Sequence, residues 1–159
     1  MTLKTVGIAG WLADVVDNFD TIENTLGNGV LNVARFTFDT AIAANKATGA
    51  HGTGVTIPAN AIIVGGFFEV NTGFTSENST ATIAISVKTA NDLQTATAVS
   101  NAIFSTAGLK AVTPVIQTLG TAIKLGTSAK EITCTVAVEA LTAGKLNGYL
   151  YYLPGDETA

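Results

Sequence analysis

Residues 131–139 read Glu-Ile-Thr-Cys-Thr-Val-Ala-Val-Glu, an apolar–polar alternation of period two. Successive side chains of a strand point to opposite faces. The pattern therefore puts Ile132, Cys134, Val136 and Val138 on one face and Glu131, Thr133, Thr135, Ala137 and Glu139 on the other. "ATIAISVKT" (81–89) repeats the device, with Ile83, Ile85 and Val87 opposed to Thr82, Ala84, Ser86 and Lys88. "LNVARFTFD" (31–39) is rich in aromatic and β-branched residues and reads as a strand. A short strand over 55–57 ends at Pro58. A long one over 61–71 carries Gly65-Gly66, which marks a bulge or a close backbone approach. The closing "LTAGKLNGYLYYLPGD" reads as a hairpin partner entered through Ala143-Gly144. Leu146, Leu150 and Tyr152 lie on one face, Tyr149, Tyr151 and Leu153 on the other, and Pro154 ends it.

Between these strands, 40–54 and 71–80 are small, polar and glycine-rich and read as loops. Residues 113–140 supply two short strands and the long alternating one, while 91–110 fit either a helical turn or an irregular excursion. Seven or eight strands thus follow one another with no helix between them. That argues against a parallel α/β sheet and for an all-β antiparallel sandwich. No internal repeat of 20–50 residues is visible.

The first 29 residues differ. Trp11, Leu12, Val15, Val16, Phe19, Ile22 and Leu26 form one apolar stripe at helical spacing, with Asp14, Asp17, Asn18 and Thr21 opposite. Gly27 and Asn28-Gly29 supply a stop. The expected organisation is an N-terminal arm, 1–29, with an amphipathic helix at 11–26, followed by a β-sandwich domain at 30–159.

Charge narrows the function. Only 13% of the 159 residues are charged, against roughly 25% in an average globular chain, and 47% are hydrophobic. A polar surface poor in charge suits packed assemblies, where burying charge is costly. The single arginine and the absence of a basic cluster give nucleic acid no electrostatic footprint. No run approaches the ~20 apolar residues of a membrane helix. The first 20 residues lack the apolar core of a signal peptide. Cys134, the only cysteine, cannot form an internal disulfide and reads as a small buried hydrophobe.

Reactive groups are scarce. His51 is the only histidine and sits in a glycine-rich stretch, where it reads as exposed or locally hydrogen-bonded. Glu69 and Glu139 would make a carboxylate pair if they faced each other across a sheet, but their alternation puts both on solvent faces. No nucleophile elbow, phosphate loop, calcium loop or zinc set is present. The chain is therefore expected to be no enzyme, with no cofactor and no metal. Tyr149, Tyr151 and Tyr152 would serve either as a sugar-stacking platform, with Phe67, or as half core and half subunit contact. Trp11 anchors either its own domain or a neighbour. The residues expected to touch another subunit are Trp11, Val15, Phe19, Ile22, Tyr149 and Tyr151.

From "GVTIPANAIIVGGFFEVNTGFTS" through "TATIAISV" to "ITCTVAVEALTAGKLNGYLYYL", about residues 53–153, the chain resembles head-associated structural proteins of tailed phages, the capsid decoration or cement proteins. The resemblance implies a jelly-roll-like body. It also implies a place on the outside of the virion capsid after assembly in the host cytoplasm, with the major capsid protein as partner. Proteins of that kind commonly sit as homotrimers. A tail or fibre component and a carbohydrate-binding jelly roll are the alternatives.

Overall fold

The structure, a computed structural model, describes residues 31–111 and 123–155. The stripe at 11–26, with Trp11, Val15, Phe19 and Ile22, lies outside the described residues. So do residues 112–122 of the stretch expected to supply two short strands; in its described part before Lys130, Lys124 forms an isolated bridge with Ile62 and no strand.

Among the described residues eight strands form two four-stranded sheets. They are β1 (Asn32–Asp39), β2 (Gly49–Ile57), β3 (Ile62–Ser76), β4 (Thr82–Ser86), β5 (Gln94–Ala98), β6 (Gly108–Ala111), β7 (Lys130–Ala137) and β8 (Leu141–Leu153). A four-residue helix α1 (Ala102–Ser105) lies between β5 and β6. The first sheet has the order β1-β8-β3-β6 and the second β2-β7-β4-β5. The first strand pairs with the eighth, the second with the seventh, the third with the sixth and the fourth with the fifth, all antiparallel. Such a ribbon of nested pairs, folded across itself by the contacts β3–β8 and β4–β7, is the jelly roll.

The alternation read from sequence fills the space between the sheets. Ala34, Phe36 and Phe38 of β1, Phe68, Val70 and Phe74 of β3, and Leu146 and Leu150 of β8 come from one side. Ile83 and Ile85 of β4 and Ile132, Cys134 and Val136 of β7 come from the other. Phe38 stacks on Phe74 at 5.9 Å, and Phe104 of α1 meets Phe68 at 5.6 Å and Phe74 edge-on at 6.0 Å. The Asn101 side chain caps α1 by accepting from the Ile103 N–H at 3.0 Å, which fixes how Phe104 enters the core. On the inner face of β8, Gly148 lies under the Phe36 ring, where any Cβ would collide with the ring.

The bulge expected at Gly65-Gly66 is present: the pairing of β3 with β8 shifts register between Ile63 and Gly65. The close approach is internal. A Cβ on Gly66 would stand 2.6 Å from the Tyr149 carbonyl oxygen of β8.

Four expectations are corrected. The stretch read as a loop up to residue 54 contains most of β2, which begins at Gly49 and is held by pairing with β7 rather than by an apolar face. β3 continues to Ser76, through residues read as a connector, because β8 pairs with it as far as Leu141. β7 stops at Ala137: Val138 has φ 72° and is 74% exposed, so the turn to β8 falls there and not at Ala143-Gly144. β4 is only Thr82–Ser86, with Ala84 and Ser86 buried on its polar side.

Candidate functional site

The outer face of the first sheet concentrates the exposed apolar surface. Cross-strand pairing aligns its residues in rows: Val33 with Tyr151 and Gly65; Arg35 with Tyr149, Phe67 and Ala111; Thr37 with Asn147, Glu69 and Leu109; Asp39 with Lys145. Phe67 stacks on Tyr149 at 4.7 Å between ring centroids and leans on Tyr151 at 6.0 Å. From the other side the Arg35 guanidinium carbon lies 5.8 Å from the Tyr149 centroid, a cation–π contact. β8 runs between β1 and β3, so Tyr149 is flanked on both sides and turns its edge to solvent. Val33, Val64 and Leu109, the last 66% exposed, border this ridge.

The two tyrosines expected at a contact are therefore brought together on one face. Tyr152 is not part of it, since it packs inward against the core. A sugar platform needs an open ring face, and Tyr149 has neither of its faces open. Sequence reasoning missed Arg35 as a member of the ridge, since only the β1–β8 register makes it a neighbour of Tyr149.

The charges of this face are few. Asp39 and Lys145 form an ion pair at 2.9 Å. The Asp39 carboxyl is held below its usual range, chiefly by the Ala41 N–H it accepts from and then by Lys145. Arg35 and Glu69 make no ion pair among the described residues.

The remaining candidates serve the fold. His51 is in strand β2 rather than in a loop; its Nε2 is 2.7 Å from the Ala47 carbonyl oxygen and its ring 6.0 Å from Phe38. Burial pushes the Cys134 thiol up to about 12, so little reactive thiolate forms. Glu69 lies beside Asn147 and Leu109, whereas Glu139 is in the β7–β8 turn, so they are not a facing pair.

Glu139, read as a solvent-facing strand residue, is instead a clasp on the β3–β4 turn. Its carboxylate accepts from Ser76 Oγ at 2.6 Å, Asn78 N–H at 2.9 Å, Asn78 Nδ2 at 2.8 Å and Thr80 Oγ at 2.9 Å. These donors, Ser76 first, outweigh desolvation and hold its pKa down to about 2. Asp92 fastens the β4–β5 turn, accepting from the N–H groups of Val87, Lys88 and Thr89 at 2.9 Å each. Among the described residues no three His, Cys, Asp or Glu side chains are grouped to hold a metal, and no helix is long and apolar enough to cross a membrane.

The second sheet turns a different surface outward. Thr133, Thr135 and Ser86 floor an open depression of about 400 Å³, rimmed by Lys88, Lys130 and Glu131.

No protein-family model matches the chain, and no curated protein does. Solved structures do. One is a chain of the cyanophage Pam1 capsid asymmetric unit, with TM-score 0.54 and 21% identity over 80% of this chain and 87% of that one. Another belongs to the capsid of Ralstonia phage GP4, with TM-score 0.56 and 19% identity over 82% and 88%. A third belongs to the acid-stable capsid of the Helicobacter pylori bacteriophage KHP30, with TM-score 0.53 and 18% identity over 80% and 91%. High coverage from both sides means that the likeness is to whole chains of similar length, not to one domain of a large chain. This all-β jelly roll is a fold shared with chains of three phage capsid assemblies.

Proposed function

We propose that the protein is a structural component of a phage virion: a decoration protein that binds the outside of the major capsid shell, as a homotrimer, and bridges neighbouring capsid subunits. The observation that carries this reading is the whole-chain likeness to similarly short chains of three phage capsids. The chemistry of the surface agrees with it. A body poor in charge, with an aromatic ridge on one sheet, covers neighbouring protein at little desolvation cost. Modest contacts repeated over a symmetric shell add to a large effect. The arm at 1–29, through Trp11, Val15, Phe19 and Ile22, is proposed as a second contact element.

Particles assembled without this chain provide the test. Purified protein added back should co-sediment with them and raise the temperature at which they release DNA. Particles that resist heating equally with and without the protein, or fail to bind it, would refute the proposal. Cryo-electron microscopy of the virion separates head from tail: density for the chain on the tail alone would replace the decoration reading by a tail component.

A further inference from the structure

We infer that the outer edge of β1 takes an added strand: an extended segment of another protein of the particle pairs with Val33, Arg35 and Thr37 through its backbone and sets a carboxylate opposite Arg35. The inference rests on the decoration reading above and names the chemistry of one contact.

The backbone groups point the right way. β1 pairs with β8 without a register shift, and one step beyond the Asp39–Lys145 pair the Thr40 N–H donates to the Gly144 carbonyl at 3.0 Å. Antiparallel ladders alternate residue by residue. Phe38, Phe36 and Ala34 therefore bond to β8, while Val33, Arg35 and Thr37 turn their N–H and C=O groups away from it. Among the described residues β1 has no neighbour on that side.

The edge is also unguarded. Sheet edges are commonly blunted by shortness, by bulges or by charges that reach over them. The other three edges follow this rule. β6 has four residues, and β5 has five with a register shift against β4. β2 shifts register between Gly52 and Thr56 and holds Gly54 at φ 75°. β1 has eight residues and no shift. Its outward polar side chains turn back onto β8: Arg35 to the Tyr149 ring, Thr37 Oγ1 to Asn147 Oδ1 at 2.9 Å, and Asp39 to Lys145.

Charge selects the occupant. Opposed residues of an antiparallel pair share a face. Asp39 already has Lys145, whereas Arg35 has an aromatic partner and no carboxylate among the described residues. An acidic residue opposite Arg35 completes that contact with a charge-assisted bond. A second copy of β1 fits less well. Two-fold antiparallel pairing centred on Arg35 sets like charges opposite each other. Centred on Phe36 or Thr37, it needs the Asp39 carbonyl, which already accepts from the Ile42 N–H at 3.2 Å and Asn45 Nδ2 at 3.0 Å. Centred on Ala34, it pairs only Val33 with Arg35 inside the strand.

Hydrogen exchange at single amides tests this, on the whole chain free and bound to particles assembled without it. In the free chain Val33, Arg35 and Thr37 should exchange about tenfold or more faster than Ala34, Phe36 and Phe38, and on particles they should slow by about tenfold or more. Val33→Pro removes an N–H that β8 does not use, so the variant should melt close to the wild type yet bind particles about tenfold more weakly. Arg35→Glu should weaken binding to a similar degree. Outward amides already slow in the free chain would mean that the chain or a second copy covers the edge, and would overturn the inference. Outward amides unchanged on particles, or folded variants that bind as the wild type does, would overturn it too and leave the decoration reading standing. A chain that binds no particles refutes both.

Discussion

The two sheets turn opposite kinds of surface to water. The inner faces are both apolar, the first built mainly on Phe and Leu and the second on Ile and Val. Outside, the first sheet carries an interlocked aromatic ridge with Arg35 against Tyr149, while the second carries threonine and serine over an open depression. Covering the ridge releases water from apolar area at roughly 25 cal/mol per Å². Covering the hydroxyls gains little unless each finds a new partner. A jelly roll needs only its inner faces to fold, so the difference between the outer faces reflects what each is for.

The comparison breaks if the ridge is needed for folding. Phe74→Ala removes a fully buried ring from the core and should cost about 3–5 kcal/mol in urea unfolding. Tyr149→Ala should cost far less, about 0.5–1.5 kcal/mol, the worth of a stacked cross-strand pair, while weakening binding to particles assembled without the chain. Equal losses for the two would make the ridge a structural element rather than a docking one.

Glu139→Gln probes a fastener joining the β7–β8 turn to the β3–β4 turn, and its effect is set by pH. The folded-state pKa, about 2, lies below the ordinary 4.5. The ionised clasp therefore stabilises fully above about pH 4.5, and the stabilisation fades as pH falls toward 2. The melting temperature of the variant should lie below that of the wild type at pH 7, with the gap closing across that window. A gap independent of pH would mean that the clasp acts through packing alone. The smallest effect is expected on the second sheet: Thr133→Ala with Thr135→Ala should change stability by less than ~1 kcal/mol and leave binding to particles unchanged. A loss of particle binding there would exchange the roles of the two faces.

What the sequence shows of this architecture follows from where periodicity is sufficient. Ile83 and Ile85, Ile132, Cys134 and Val136, and Leu146, Leu150 and Tyr152 are all buried or core-packed on the faces that their alternation assigns. The start of β2, before the strand read at 55–57, is invisible because Gly49, Ala50, Gly52 and Gly54 bring no apolar face; an edge strand beside β7 needs only backbone pairing. Asn71-Thr72-Gly73 has turn chemistry, but β8 imposes a register on it from about 70 residues away, and tertiary pairing overrides local preference. At Val138 the alternation runs straight into a turn that no Gly, Pro or Asn announces. Tyr149 and Tyr151 were legible as contact candidates. Their assembly with Arg35 and Phe67 was not, because registers between distant strands set it.

The nested pairing has a consequence for how the chain is made. β1 is the first of the described strands to leave the ribosome, and its sole hydrogen-bonded neighbour among them, β8, is the last. β8 also stands between β1 and β3, so the first sheet has no continuous centre until residue 153 emerges. Contacts so distant in sequence make folding slow. Until translation passes the final strand, nothing holds Phe36 and Phe38 of β1 beside Phe68 and Phe74 of β3, and one wall of the core stays open along its middle.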